Sequence, residues 1–251
     1  MLALISPAKT LDFKSPLPPL EASRPRFATE AETLAAAAAR LGPKKLGQLM
    51  HISDKLATLN AERYRGFVDQ AERPALFAFA GDVYTGFEAK TLDDPAIAFA
   101  QDHVRILSGL YGLLRPLDLI RPYRLEMGTR WAPRRKSLID WWGRRIAALL
   151  AEDMEEVGTK VIVNLASQEY WAAIAPFPPR GARIVTIDFR EQGPDGLRFN
   201  SFAAKRARGM MARYLSEHRL DDVEALKGFD SDGYRWHAAE SDGDRWLFAR
   251  G

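Results

Sequence analysis

A chain of 251 residues with 47% hydrophobic content can bury one substantial core and sits at the upper end of single-domain size. It has no cysteine, which excludes disulfides, thiol catalysis and thiolate metal sites. A formal net charge of +3 is only mildly basic, so the distribution of charge says more about partners than its total.

Residues 1–6 read as a buried strand stopped by Pro7. That apolar run is short and Lys9 follows it, the reverse of a secretory leader, and no stretch approaches the length of a membrane span. A cytoplasmic protein without a membrane partner is expected. Residues 9–25 are proline-rich and read as an extended surface loop. A helix over 29–41 can be capped by Thr29, with Glu32 in capping-box spacing, and ends at Gly42-Pro43. A short helix over 44–50, a turn at His51-Ile52 and a second helix from Ser53 to about Phe67 follow. Residues 76–80 read as a strand leading into a Gly81-Asp82 loop, and 95–107 as an amphipathic helix loosened afterwards by Gly109 and Gly112. Residues 116–133 are irregular and arginine-rich, and 137–154 form a helix. The run 160–165 is a buried strand, 166–175 a helix, and 183–189 and 197–202 are strands. A helix over 203–217 precedes a terminal hairpin of 234–239 and 245–249 around Ser241-Asp242-Gly243-Asp244. With no linker and no repeat, residues 1–251 read as a single domain of the mixed α/β class, a mixed sheet with surrounding helices.

Acidic residues gather at 152–156 and in the C-terminal quarter, leaving the middle basic. Between Arg105 and Arg145, the basic residues face only Asp118, Glu126 and Asp140, and Lys205, Arg206, Arg208 and Arg213 form a second cluster.

Six segments carry possible chemistry. After the first strand, Lys9 can hold an anion, or be a solvated loop lysine. The element at about 43–67 resembles a helix-hairpin-helix, with Lys44, Lys45, Lys55, Arg63 and Arg65 along a basic edge suited to duplex phosphates. Its hairpin carries His51-Ile52-Ser53 where glycine is usual, so an ordinary helix pair is the alternative. Gly81-Asp82-Val83-Tyr84-Thr85-Gly86 offers a carboxylate and a phenol at a strand end, or a capped turn. Arg115, Arg121, Arg124 and Arg130 share a proline-stiffened segment beside Tyr111, Tyr123 and Trp131, which offer stacking faces; structural ion pairs with Asp118, Glu126 and Asp140 are the alternative. In Asn164-Leu165-Ala166-Ser167-Gln168-Glu169-Tyr170-Trp171, helix capping accounts for Ser167 and Glu169 but not for Asn164 and Tyr170. Finally, Lys205, Arg206 and Arg208 oppose a helix dipole near its start, a cost that suggests phosphate contacts.

Taken together, S-P-A-K-T-L-D (6–12), I-S-D-K-L (52–56), G-D-V-Y-T-G (81–86), L-S-G-L-Y-G-L-L-R-P-L-D-L (107–119), P-Y-R-L-E-M-G (122–128), N-L-A-S-x-E-Y (164–170) and A-K-x-A-R-G (204–209) resemble the YaaA family of bacterial peroxide-stress proteins. The resemblance runs nearly end to end and departs in the loop after Asp12 and in the C-terminal tail. It implies a distinctive α/β fold, a positively charged cleft, a helix-hairpin-helix element, DNA binding, links to recombination or repair, and lowered free iron under peroxide. It carries over no catalytic residue.

Two functions follow as expectations. One is sequence-non-specific binding of duplex or branched DNA through Lys44, Lys45, Lys55, Arg63, Arg115, Arg121, Arg124, Lys205, Arg206 and Arg208. The other is an enzyme acting on a nucleotide or nucleic-acid end through Lys9, Asp82, Tyr84, Asn164, Glu169 and Tyr170, with Asp82 or Glu169 as general base and Lys9 as anion clamp or nucleophile. No cofactor is called for. The four histidines, His51, His103, His218 and His237, make no short-spaced pair, so no metal site is recognisable. Oligomeric state is left open.

Overall fold

Leu2-Ala3-Leu4-Ile5 is apolar without a break and fully buried, as a strand covered on both faces must be. The computed structural model describes residues 1–251. In chain order the elements are β1 (Leu2–Ile5), α1 (Ala28–Ala39), α2 (Gly42–Met50), α3 (Asp54–Arg65), β2 (Arg73–Pro74), α4 (Ala75–Ala78), α5 (Asp82–Phe87), α6 (Asp94–His103), β3 (Val104–Ser108), β4 (Gly112–Leu114), β5 (Leu119–Ile120), α7 (Leu138–Trp142), α8 (Arg145–Val157), β6 (Val161–Asn164), α9 (Gln168–Trp171), β7 (Arg183–Gly193), β8 (Gly196–Arg198), α10 (Ser201–Glu217), β9 (Arg235–Trp236) and β10 (Arg245–Arg250). The main sheet has the order β4-β3-β1-β6-β7-β10-β9, with β8 added to β7. Strands β3, β1, β6, β7 and β10 are parallel neighbours, and β4, β8 and β9 pair antiparallel. This is the mixed α/β class expected, with a mostly parallel sheet flanked by helices. One hydrophobic cluster reaches from Met1 to Phe248.

Several local readings change. Residues 76–80 are not a strand: α4 makes one helical turn, and Phe79 then extends to bridge Leu11. The Ala75 and Leu76 N–H groups donate to Asp118 and Pro116 carbonyls, so tertiary hydrogen bonds decide a run whose periodicity is ambiguous. The Asp82 loop is instead α5. The helix predicted over 95–107 ends at His103, because Val104 to Ser108 pair with β1 as a buried strand. Gly109 and Gly112 do not loosen the chain; they close the β3–β4 hairpin, with Gly112 at φ +68°. Gly143 at φ +53° splits the 137–154 helix into α7 and α8. Only Gln168–Trp171 of 166–175 is α-helical, and the 197–202 strand stops at Arg198 because Asn200 caps α10. The Thr29 capping box does not form, since α1 begins one residue earlier behind Phe27.

Two contacts position the rest. A Cβ on Gly86 would lie 2.0 Å from the Arg206 carbonyl oxygen, and one on Gly209 would lie 1.8 Å from that of Val83. Helices α5 and α10 thus touch backbone to backbone, which only glycine allows. Across the sheet, Asp153 is fully buried and accepts hydrogen bonds from Arg26 and Arg105, itself almost fully buried. Burial alone would raise the Asp153 pKa, but the two guanidinium groups outweigh it and hold it below the usual carboxylate range.

Gly209→Ala is therefore expected to cost about 3 kcal/mol and to lower Tm by roughly 6–12 °C in thermal denaturation. Asp153→Asn strands Arg105 and is expected to cost about 3 kcal/mol. The folded pKa of Asp153 is depressed, so its contribution is present in full above the unfolded value of about 3.9 and is lost as pH falls through the folded value. Denaturant titrations of wild type and Asp153→Asn should converge only in strong acid.

Candidate functional site

The chain leaves β1 toward β3 on one side of the sheet and leaves β6 toward β7 on the other, while β1 and β6 are adjacent. Their carboxyl ends flank a topological switch point, where the two following loops diverge and open a crevice. A cavity of about 1240 Å³ occupies it, walled by the loops after β1 and β6, by β7 and β10, and by α5 and α10.

The two loops are tied together by serines. The Ser167 N–H donates to Ser6 Oγ at 2.9 Å, and the two hydroxyls are 3.4 Å apart. Below them the Tyr84 hydroxyl donates to the Ser6 carbonyl at 3.2 Å. Asn164 is buried, and its Oδ1 accepts the Ala166 N–H at 3.1 Å, fixing the turn out of β6. Glu169 Oε1 accepts the Gly128 N–H at 3.1 Å, pinning the 122–128 segment to the cavity wall.

Of the residues singled out for chemistry, Lys9, Asp82, Asn164, Glu169 and Tyr170 line this one cavity, and Tyr84 lies beneath it. Of those singled out for DNA, only Lys205 and Arg208 line it. Lys9 reaches Glu126 at 3.5 Å and Lys205 reaches Asp82 at 4.0 Å. Arg208 differs from both. It has no ion-pair partner, its buried Nε has no hydrogen-bond partner, and desolvation lowers its pKa with only Asp188 opposing. Sequence reasoning missed Arg190 and Arg245, which also face the cavity, and Asp188, which pairs with Arg190 at 2.7 Å.

The expected positively charged cleft is corrected to a balanced one. Lys9, Arg190, Lys205, Arg208 and Arg245 are matched by Asp82, Glu169, Asp188, Glu240 and Asp242. Three of the four arginines singled out in the middle segment are held elsewhere, while Arg130 is exposed and joins no ion pair. Arg115 faces Asp118 at 3.8 Å, Arg121 pairs with Glu72 at 3.0 Å, and Arg124 pairs with Glu126 at 3.0 Å. Asp140 serves Ser137 rather than an arginine. Arg206 pairs with Asp232 at 3.5 Å, and Arg213 donates to the Phe87 and Glu88 carbonyls, closing the end of α5. The dipole argument for Lys205, Arg206 and Arg208 also weakens, because α10 starts at Ser201 and the field fades beyond the first turn. Tyr111 and Tyr123, expected as stacking faces, are buried; Tyr123 shares a 2.7 Å hydrogen bond with Ser108.

Helices α2 and α3 form a packed pair at the residues expected, with Gly47 against Ala57 and His51 turning the chain at φ +51°. Lys44, Lys45 and Lys55 are exposed on it and Arg63 is half-buried; none of them lines the cavity. No group of three or more His, Cys, Asp or Glu side chains is disposed to hold a metal ion, and no helix is long and apolar enough to cross a membrane.

Residues 1–240 match the family model described as peroxide stress protein YaaA. The chain is 67% identical over 251 residues to a UPF0246 protein of Rhizorhabdus wittichii, covering 100% of this chain and 99% of the relative. UPF0246 proteins of Idiomarina loihiensis and Caulobacter vibrioides are each 47% identical, covering 100% of this chain and 98% and 99% of their own lengths.

At the cavity wall and behind it, burial raises the phenol pKa values of Tyr84, Tyr123 and Tyr170 well above normal, and ionised neighbours would raise them further. These groups act as neutral hydrogen-bonding phenols. Their contribution to stability is present in full below the unfolded value of about 10 and is lost as pH rises toward the folded values. In an alkaline titration, their phenolate absorbance should appear together with loss of helical circular dichroism rather than before it. Tyr84→Phe, which strips the Ser6 carbonyl of its donor, is expected to cost about 1 kcal/mol.

Proposed function

The chain belongs to the peroxide stress protein YaaA family, and from that premise we propose that it serves the peroxide response by binding the phosphate-bearing end of a nucleic acid or nucleotide in the cavity at the switch point. The observation that carries this reading is Arg208, a desolvated guanidinium facing the cavity with no ion-pair partner. Arg208 is half-buried with Asp188 opposite it but beyond ion-pair distance, and a partly desolvated cation so placed gains from an anion that completes it. Arginine suits phosphate by its fork of donors. Lys9 and Lys205 flank it on long stems whose present partners, at 3.5 and 4.0 Å, are loose enough to exchange for phosphate.

A net-neutral lining argues for a terminus with one or two phosphates rather than for a groove along a duplex, which needs surplus positive charge. The carboxylates give the same site a chemical capacity. Asp82 stands at the first residue of α5 and Glu169 on α9, both at the cavity wall, where either could exchange a proton with a bound end. Tyr84, Tyr170 and Asn164 support the walls. Protection or repair of DNA, with lowered free iron as a downstream effect, is the cellular role this reading carries.

A separate contact with duplex DNA has one observation in its favour: Lys44, Lys45 and Lys55 are exposed along α2 and α3 and join no ion pair. Such a contact would position the duplex without reading it.

Two measurements test these assignments. Arg208→Met is expected to leave the unliganded Tm unchanged or higher, because no partner is lost, while weakening binding of a 5′-phosphorylated oligonucleotide on the order of ten-fold or more. Undiminished binding would remove the cavity from the account. Replacing Lys44, Lys45 and Lys55 together by alanine is expected to weaken duplex binding and to reduce the slope of log affinity against log salt by about 3, leaving the end-phosphate preference intact. An unaltered slope would dismiss the helix pair.

A further inference from the structure

Phe199 and Phe202 are 51% and 72% exposed, more than any other aromatic side chain in the molecule. Leaving such rings in water forfeits much of the stabilisation their burial would bring. Both sit at the start of α10, on either side of its cap, Asn200. The cap is held firmly: Asn200 Oδ1 accepts the Phe202 and Ala203 N–H groups, and its Nδ2 donates to Glu191 at 2.8 Å. The rings are therefore carried on a fixed turn rather than on a loose loop.

Each ring is joined to a cation of the cavity. Phe199 itself lines the cavity, and the Arg190 guanidinium lies 5.2 Å from its ring centre. Lys205 Nζ lies 5.5 Å from the centre of the Phe202 ring, and Arg208 follows one helical turn deeper on the same helix. Aromatic faces alternating with cations that track a backbone are the means by which proteins hold unpaired nucleotides. The surroundings of the rings are charged and polar, with Ser201, Lys205 and Arg206 exposed beside them, unlike the continuous apolar patch of a protein-docking face.

We infer that Phe199 and Phe202 form a stacking platform for two nucleobases of a single-stranded terminus whose phosphate enters the cavity at Arg208. This deepens the reading proposed above and rests on it. It makes the protein selective for unpaired ends over blunt duplexes, and indifferent to base identity, because every base offers a face to stack.

The test compares three 5′-phosphorylated probes by fluorescence anisotropy: a single-stranded oligonucleotide, the same strand with its two terminal nucleotides abasic, and a nucleoside monophosphate as competitor. Wild type should bind the full strand on the order of ten-fold tighter than the abasic strand. The double variant Phe199→Ala/Phe202→Ala should lose that difference while binding the abasic strand as wild type does. Both rings are exposed, so folding should survive, and Phe202→Trp should restore the preference.

A double variant that keeps the full preference, or a wild type that binds both strands equally, overturns the platform. A monophosphate competing as well as the full strand overturns its two-base extent. Failure of the cavity reading has a different signature: Arg208→Met would bind all probes as wild type does, while the two phenylalanines still governed the preference for bases.

Discussion

The backbone contact between α5 and α10 is the constraint on which the site depends. Gly86 and Gly209 let the two helices approach until each faces the other's carbonyl oxygen, closer than any side chain would permit. That approach brings Asp82, at the start of α5, beside Lys205 on α10, and turns Arg208 toward the strand ends. Arg213 fastens the other end of the same pair by donating to carbonyls at the close of α5. Without the glycine crossing, the carboxylate and the two cations would have no fixed relation to the crevice between β1 and β6. The glycines in two separate sequence motifs thus do one job, and it is geometric rather than chemical.

Charge in this protein is informative only after its partners are known. The arginine-rich middle looks on paper like a phosphate track, yet Arg105, Arg115, Arg121 and Arg124 are each assigned to a carboxylate. Two of those carboxylates, Glu72 and Asp153, come from far along the chain and cannot be paired with their arginines from spacing. Subtracting these pairs leaves cations that join no ion pair, among them Arg208 and Arg245 at the cavity, Lys44, Lys45 and Lys55 on the helix pair, and the exposed Arg130, Arg134, Arg135 and Lys136. The distinction separates arginines that hold the fold together from cations still available to a ligand.

The parts of the fold legible in the sequence were those fixed by local pattern. Apolar runs marked β1 and β6, an alternating one marked β7, and helical patterns marked α1, α3 and α10, although Thr29 does not cap α1 and Asn200, the cap of α10, was read into a strand. What failed was decided at long range. The run 104–108 continues the helical pattern before it but pairs with β1, and 75–78 is apolar enough for a strand but takes its hydrogen bonds from residues near 117. The site divides along the same line. Lys9, Asn164 and Glu169 stood out because the ends of strands in α/β sheets face ligands, whereas Asp82 was picked for a strand end that is instead the start of α5. The roles of Arg190, Asp188 and Phe199 were invisible, since alternating residues on a long strand and an isolated phenylalanine carry no pattern of their own.

Three exceptions to ordinary folding economy lie on α10 or beside its cap. Arg208 is desolvated without a partner, and Phe199 and Phe202 are apolar and exposed. Neither choice helps the folded chain: the first leaves a charge uncompensated, and the second leaves apolar surface wet. Elsewhere the same chain offsets such costs internally, sealing Asp153 between two guanidinium groups and hydrogen-bonding the buried phenols of Tyr84 and Tyr123. Departures of this kind mark places where an external partner can supply the missing term. Here the missing terms are an anion and flat apolar surfaces, set along the first half of one helix and its cap, and a phosphorylated nucleotide end provides both.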